Sequence, residues 1–338
     1  MTALARVPRR GFSCRGRSAA VTGVLLLALC AGLAGGCRSV ETRQLVTRPV
    51  RHSIRGDNLL VLSDFRLPRD HPVIEDLMVL RSQVHEELAL PESRSDVVVY
   101  IFNNESEYRS FLETTYPGLP PRRAYFVGTP KELAVYTFWG ERIQEDLRHE
   151  FTHGLLHASL GRVPLWIDEG LAEYFEVPGP RPGTVNTEYT QKLSALLANG
   201  WQPDLERLEQ LDEFAQMQRV DYQEAWAWVH FALHSSPDTR QSLVDYLHDL
   251  PSTKKPTPLS QRLSQQVAAP EKRFLGWLST LSGTRGFAMS ADVETEARTA
   301  GRETVDAKAA ADFPGPFPAF EPSGSTIQQA GFEQPAAD

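Results

Sequence analysis

The sequence predicts an α+β fold: a small mixed sheet with helices packed on it, followed by a mainly helical half. Short apolar runs at residues 58–65, 96–102, 123–128 and 132–138 have the length and the β-branched content of strands. Beyond residue 142 the apolar residues recur at helical spacing, with no further strand pattern. Strands first and helices afterwards place the helices against one sheet, unlike an alternating βαβ series.

The chain opens with Arg6, Arg9, Arg10, Arg15 and Arg17, followed by the apolar "VTGVLLLALCAGLA" and "GGC". A positive region ahead of an apolar one is the layout of an export signal, here residues 1–36. "LAGGC" resembles a lipoprotein-processing box, with Cys37 as the residue that takes the lipid. The uncharged run from 18 to 37 could instead be a short membrane anchor, since about 20 residues span a bilayer. An ordinary signal peptide is the third reading; all three put the body outside the cytoplasm, because the arginines stay inside, and the lipoprotein reading expects it in the cell envelope, tethered to the membrane and facing the periplasm or exterior.

Residues 37–57 read as a tether, and "NLLVLSDF" as the first strand. "HPVIEDLMVLRSQVHEELAL" repeats apolar residues as a helix does, and "DVVVYIF" is a buried-type strand followed by a short helix over 108–112. After the turn "YPGLPP" come the strands "RAYFVG" and "ELAVYTF". Helices are expected at 142–160, 165–176, 187–199, 221–235, 239–249 and 271–282, so the folded domain spans 58–283. Residues 284–338 hold too few aliphatic side chains to bury a core and read as a disordered acidic tail.

The net charge of −8 is uneven: residues 291–338 carry nine acids against three bases. The body is therefore close to neutral, without the basic patch that a nucleic-acid partner requires. All three cysteines fall within the first 37 residues, so the body has neither a disulfide nor a thiolate ligand. A metal in the body must be held by His, Asp or Glu.

"LRHEFTHGLLH" supplies candidates. His149 and His153 are four apart, which on a helix is about 6 Å of rise and roughly 40° of rotation. Both imidazoles then project from one face and can share a Zn²⁺, with Glu150 beside them as general base. "PLWIDEGLAEYFE" follows, and Pro164 suits the start of a second helix that folds back on the first. Glu169 on that helix becomes the third ligand, and Glu173, one turn later, is expected to hydrogen-bond the far nitrogen of a liganding histidine. Two histidines and one carboxylate leave a coordination position open, as catalytic zinc sites do.

"HEFTH" followed by "WIDEGLAEYFE" resembles the gluzincin metallopeptidases, above all small bacterial gluzincin-like lipoprotein proteases of uncharacterised role. The resemblance extends over about residues 58–282 and implies zinc on His149, His153 and Glu169, with Glu150 as base. It also implies that Tyr222, in "DYQEAWAWVHFALH", hydrogen-bonds the developing oxyanion, with His230 a weaker candidate for that role. The spacing from His153 to Glu169 is shorter than in the larger members, and the aminopeptidase "GAMEN" motif is absent, which favours endopeptidase action. His157 lies about 12 Å along the helix from His149 and is read as structural. "ELAVYTF" is expected to be the sheet edge along which an extended peptide adds. The expected activity is hydrolysis of a peptide or protein substrate. The alternatives are a non-catalytic envelope lipoprotein that uses the same scaffold for binding, or a zinc amidase acting on cell-wall peptides.

Overall fold

The computed structural model describes residues 46–283, apart from 94 and 180. The expected export signal, Cys37 and the acidic tail lie outside the described residues. Among the described residues no helix is long and apolar enough to cross a membrane.

The centre of the sheet is β3 (Val97–Phe102), "VVVYIF", buried at every residue. An apolar run without alternation needs cover on both faces, and β3 has it. Val97, Val99 and Ile101 pack with α1 (Pro72–Leu88) and α3 (Ile143–Leu160), whereas Val98, Tyr100 and Phe102 pack with α2 (Glu105–Thr115). β1 (His52–Gly56), β2 (Leu59–Ser63), β4 (Ala124–Gly128) and β5 (Leu133–Phe138) complete a five-stranded sheet in the order β1-β2-β3-β5-β4. β2, β3 and β5 run parallel, and β1 and β4 are antiparallel at the two edges. The predicted mixed sheet is therefore present, and the helical half follows it.

Two expectations are corrected here. β1 falls within the stretch read as a tether: "HSIRG" is too polar to look like a strand, and it is one because its backbone pairs with β2 at an edge. β5, "LAVYTF", is not the sheet edge, because β4 turns back through residues 129–132 and takes the outer position beside it.

Beyond α3 come α4 (Leu165–Glu176), α5 (Thr187–Ala198), α6 (Leu205–Leu208), a 3-10 turn (Phe214–Gln216), α7 (Arg219–His234), α8 (Pro237–Asp249), α9 (Leu259–Gln266) and α10 (Pro270–Leu281). α6, α9 and the 3-10 turn went unpredicted, being too short to display a period.

Close approach of backbone decides how α3 and α4 sit. A Cβ on Gly154 would stand 2.5 Å from Val97 Cγ1, so only glycine lets α3 lie this near β3. A Cβ on Gly170 would meet the Ala225 carbonyl oxygen at 2.9 Å, so glycine likewise brings α4 against α7. Arg148 is buried at 1% exposure and ties three helices together. It donates to Asp76 of α1 at 2.9 Å, to Gln83 of α1 at 3.4 Å and to the Phe175 carbonyl at the end of α4 at 2.8 Å.

His230 belongs to this scaffold. Trp277 Nε1 donates to its Nδ1 at 3.2 Å, which leaves Nε2–H to donate to the Gly183 carbonyl at 3.3 Å. Burial, with His234 adding repulsion, lowers its pKa to about 4. The unfolded imidazole titrates near 6.5, so between about pH 6.5 and 4 the unfolded chain binds the extra proton and stability falls with pH. Replacing His230 by Gln should remove on the order of 1–3 kcal/mol of this acid sensitivity. Denaturant unfolding at pH 8 and pH 5 checks it; equal losses in both proteins would contradict the assignment.

Candidate metal centre

α3 and α4 form a hairpin, and their facing sides carry almost all the ionisable groups of the site. α3 contributes His149, Glu150, His153 and His157. α4, which starts directly after Pro164 as the sequence suggested, contributes Asp168, Glu169, Glu173 and Glu176.

The structure brings His149, His153 and Glu169 together, with one ligand atom from each lying within 4.8 Å of the others. His149 Nε2 is 3.6 Å from Glu169 Oε2, and His153 Nε2 is 3.9 Å from Glu169 Oε1. Ligand atoms of a tetrahedral zinc, at about 2.0–2.2 Å from the metal, stand roughly 3.3–3.6 Å apart. The two histidine–glutamate separations are thus within a few tenths of an ångström of the spacing that zinc needs.

What orients the rings lies on their other side. His149 Nδ1 is hydrogen-bonded to Glu176 Oε2 at 2.9 Å, whereas His153 Nδ1 lies 3.0 Å from Asp168 Oδ1 as an ion-pair contact, outside hydrogen-bonding geometry. The carboxylate at His149 Nδ1 holds the proton there and leaves the Nε2 lone pair free for a cation, and the Asp168 charge beside His153 Nδ1 favours the proton on that side. Asp168 in turn uses Oδ2 to meet His157 Nε2 at 3.1 Å, so His157 steadies the support of His153 and stays out of the ligand trio, as expected.

Sequence reasoning assigned the supporting role to Glu173, and the structure moves it to Asp168 and Glu176. Glu173 accepts a hydrogen bond from the Tyr189 hydroxyl at 2.7 Å and makes none to a liganding ring. Positions i+4 and i+7 from Glu169 both fall near its face, about 40° and 20° to either side, but Tyr189 claims the Glu173 carboxylate whereas Glu176 reaches His149 Nδ1. Glu176 was thus as legible from its spacing as Glu173, and Asp168 from its place beside the ligand in "DEG". Glu173 can also be grouped with His149 and Glu176 as a trio, but that trio spends the carboxylate that orients the His149 ring.

Electrostatics reinforce the pairings. Burial alone would lower the His149 pKa, yet Glu169 and Glu176 outweigh it and hold the imidazole well above its ordinary range. For His153 burial is outweighed by Asp168, so its pKa also rises. Glu169 and Asp168 move the opposite way: burial is overcome by the imidazoles, and both carboxyls fall below the usual range. Glu173 is pushed up to about 7, chiefly by burial, with Glu176 and Glu169 adding repulsion. Protons and a cation thus compete for the two imidazoles, so metal affinity should rise with pH.

Glu150 sits beside the trio and accepts a hydrogen bond from the Phe126 N–H at 2.6 Å. Phe126 is on β4, so the glutamate joins the metal helix to the outer strand of the sheet. In an antiparallel ladder a residue turns its N–H and C=O to the same side, so this contact means that Phe126 presents both away from β5. Tyr222, at the start of α7, is half-buried and close enough to feel the charges of Glu169 and His149. Burial pushes its hydroxyl up to about 12, while Arg122 pulls it back. His230 is held elsewhere, by Trp277 and Gly183.

Residues 145–258 match the model of a family described as "Protein of unknown function (DUF1570)". No curated protein matches the chain. The matched span contains every α3 and α4 residue of the site together with Tyr222, and it omits the sheet.

Replacing Asp168 by Asn or Glu176 by Gln should each weaken zinc binding about 10- to 100-fold, as loss of an orienting partner does. Glu173→Gln should leave affinity little changed. Competition with a fluorescent chelator measures all three, and a Glu173→Gln loss as large as the other two would return the supporting role to Glu173.

Proposed function

We propose that the chain is an exported, membrane-tethered zinc metallopeptidase of gluzincin type. The observation that carries this reading is the double orientation of the imidazoles: both Nδ1 atoms face carboxylates, and both Nε2 atoms converge on Glu169. His149, His153 and Glu169 would hold the ion. Zinc, when bound, supplies a Lewis acid that polarises a carbonyl and acidifies a water to a pKa near 7.

The remaining work falls to the chain's own residues. Glu150 takes a proton from the attacking water and returns it to the leaving amine. Its hydrogen bond to Phe126 occupies Oε2 and fixes the carboxylate between β4 and the trio, leaving Oε1 for the proton. Tyr222 keeps its proton at neutral pH, since its pKa lies near 12, and can donate a hydrogen bond to the oxyanion that forms on the substrate. An extended peptide running along the outer edge of β4 passes beside Glu150, which already holds the Phe126 N–H, and an open-ended path of this kind favours endopeptidase action on an unfolded segment. Export follows the arginine-rich, apolar start of the chain, and Cys37 is the proposed lipid attachment point.

The test is cleavage of a peptide mixture by the zinc-loaded full chain, followed by mass spectrometry. Glu150→Gln should retain zinc and lose about 10²- to 10⁴-fold in rate. Tyr222→Phe should lower kcat with little change in KM. An active Glu150→Gln protein, or a wild type that cleaves nothing when loaded, would overturn the reading.

A further inference from the structure

Arg122 and Arg123 are adjacent, and their surroundings differ. Arg123 is neutralised: its guanidinium grips Asp146 at the start of α3, with Nη2 to Oδ1 at 2.6 Å and Nε to Oδ2 at 3.0 Å. Arg122 has no such partner. No carboxylate among the described residues lies within ion-pair distance of it, although it is exposed and borders the metal centre. The Tyr222 hydroxyl is a hydrogen-bond partner of its guanidinium, and Glu169 and Glu150 are near enough to act on its charge, so part of the fork rests on Tyr222 and the remaining donors are open.

The side chain is nonetheless held in place. Its Cζ lies 5.9 Å from the centroid of Tyr125, at the start of β4, and 5.9 Å from that of Phe214, in the 3-10 turn before α7. Two aromatic rings, one from β4 and one from the 3-10 turn, therefore flank one guanidinium, an arrangement that restrains a cation without neutralising it. The backbone beneath is also fixed. Tyr108 donates to the Arg122 carbonyl at 3.1 Å, Thr137 donates to the Arg123 carbonyl at 3.2 Å, and the Tyr125 hydroxyl donates to the Pro120 carbonyl.

A guanidinium is a planar fork of five donors shaped for two carboxylate oxygens. Here it is exposed, pre-positioned, free of any carboxylate partner and placed where β4, the entry strand for an extended peptide, meets the catalytic cleft. We propose that Arg122 binds a carboxylate of the substrate, so that the enzyme selects peptides carrying that group close to the scissile bond. This rests on the peptidase reading for the meaning of "substrate", but not for the binding itself. The carboxylate has two sources, the free C-terminus of a peptide or an Asp or Glu side chain, and both present the same two oxygens to the fork.

Binding measured without turnover tests it. The zinc-loaded full chain in detergent, carrying Glu150→Gln, is titrated by calorimetry with N-acetyl-Ala-Leu-Ala as the free acid, with its C-terminal amide, and with amidated peptides in which one residue is Asp. A preference of about ten- to a hundred-fold for a carboxylate-bearing peptide over the neutral amide is expected, the usual gain of a charge-assisted pair, and the Asp side chain is the source that agrees with endopeptidase action. The preference should collapse towards one in Arg122→Gln and survive in part in Arg122→Lys. If the Asp peptide, in place of the free acid, shows the Arg122-dependent gain, the source is a side chain and the proposal stands. Equal binding of acid, amide and Asp peptides with Arg122 present, or no binding of any, overturns it. A preference that persists in Arg122→Gln overturns it as well. Because no cleavage is read, a protein that discriminates acid from amide but hydrolyses nothing would sink the peptidase reading and leave the carboxylate site standing.

Discussion

The contact between α3 and α4 is made by charge, and the rest of the molecule is arranged around that fact. Three imidazoles from one helix face four carboxylates from the other in a seam that is buried at His153, Asp168 and Glu169 and half-buried at His149, His157 and Glu176. Each charge brought there loses its hydration, a cost of several kcal/mol that only close partners repay. Every imidazole therefore has a carboxylate within about 3 Å: His149 has Glu176, His153 has Asp168, and His157 shares Asp168. The carboxylates outnumber the rings by one, and two Nε2 atoms converge on Glu169. That point of convergence is where the proposed zinc would bind.

A seam of this kind works only if its walls do not move. Gly154 lets α3 settle against β3, and Gly170 lets α4 settle against α7, each at a distance that a methyl group would forbid. Arg148 lies one residue before His149 and grips the last turn of α4 through the Phe175 carbonyl, beside Glu176. The same arginine reaches α1, so the position of the metal helix is tied to the face of the sheet. The sheet reaches back through β4, whose Phe126 N–H holds Glu150. Glu150, the candidate ligands and the edge strand are thus joined through direct contacts, as the proposed chemistry at a fixed centre would require.

Much of this was legible in the sequence, and the parts that were not share a physical cause. The central strand and the metal helix announced themselves, because an unbroken apolar run and a His pair at i, i+4 are local patterns. Glu169 was legible because Pro164 marks the return of the chain. The partner of each ring was not read correctly, since it depends on how two helices are rotated about each other, and Glu173 was chosen where Glu176 faces the ring. Strand order was missed for a similar reason: "ELAVYTF" and "RAYFVG" look alike as strands, and only pairing decides that the first is interior. β1 was missed because an edge strand needs no apolar signature. Arg122 has no local signature at all, since its meaning arises from Tyr125 and Phe214 flanking it.

The central claim is that α3 and α4 build a zinc site from two imidazoles and one carboxylate. X-ray absorption at the zinc edge of the purified full chain reads that ligand set directly. The account predicts about one zinc per chain, with two histidine rings, light oxygen ligands at about 2.0–2.2 Å and no sulfur. A chain that retains no zinc at neutral pH, or zinc bound through sulfur at about 2.3 Å, would contradict it.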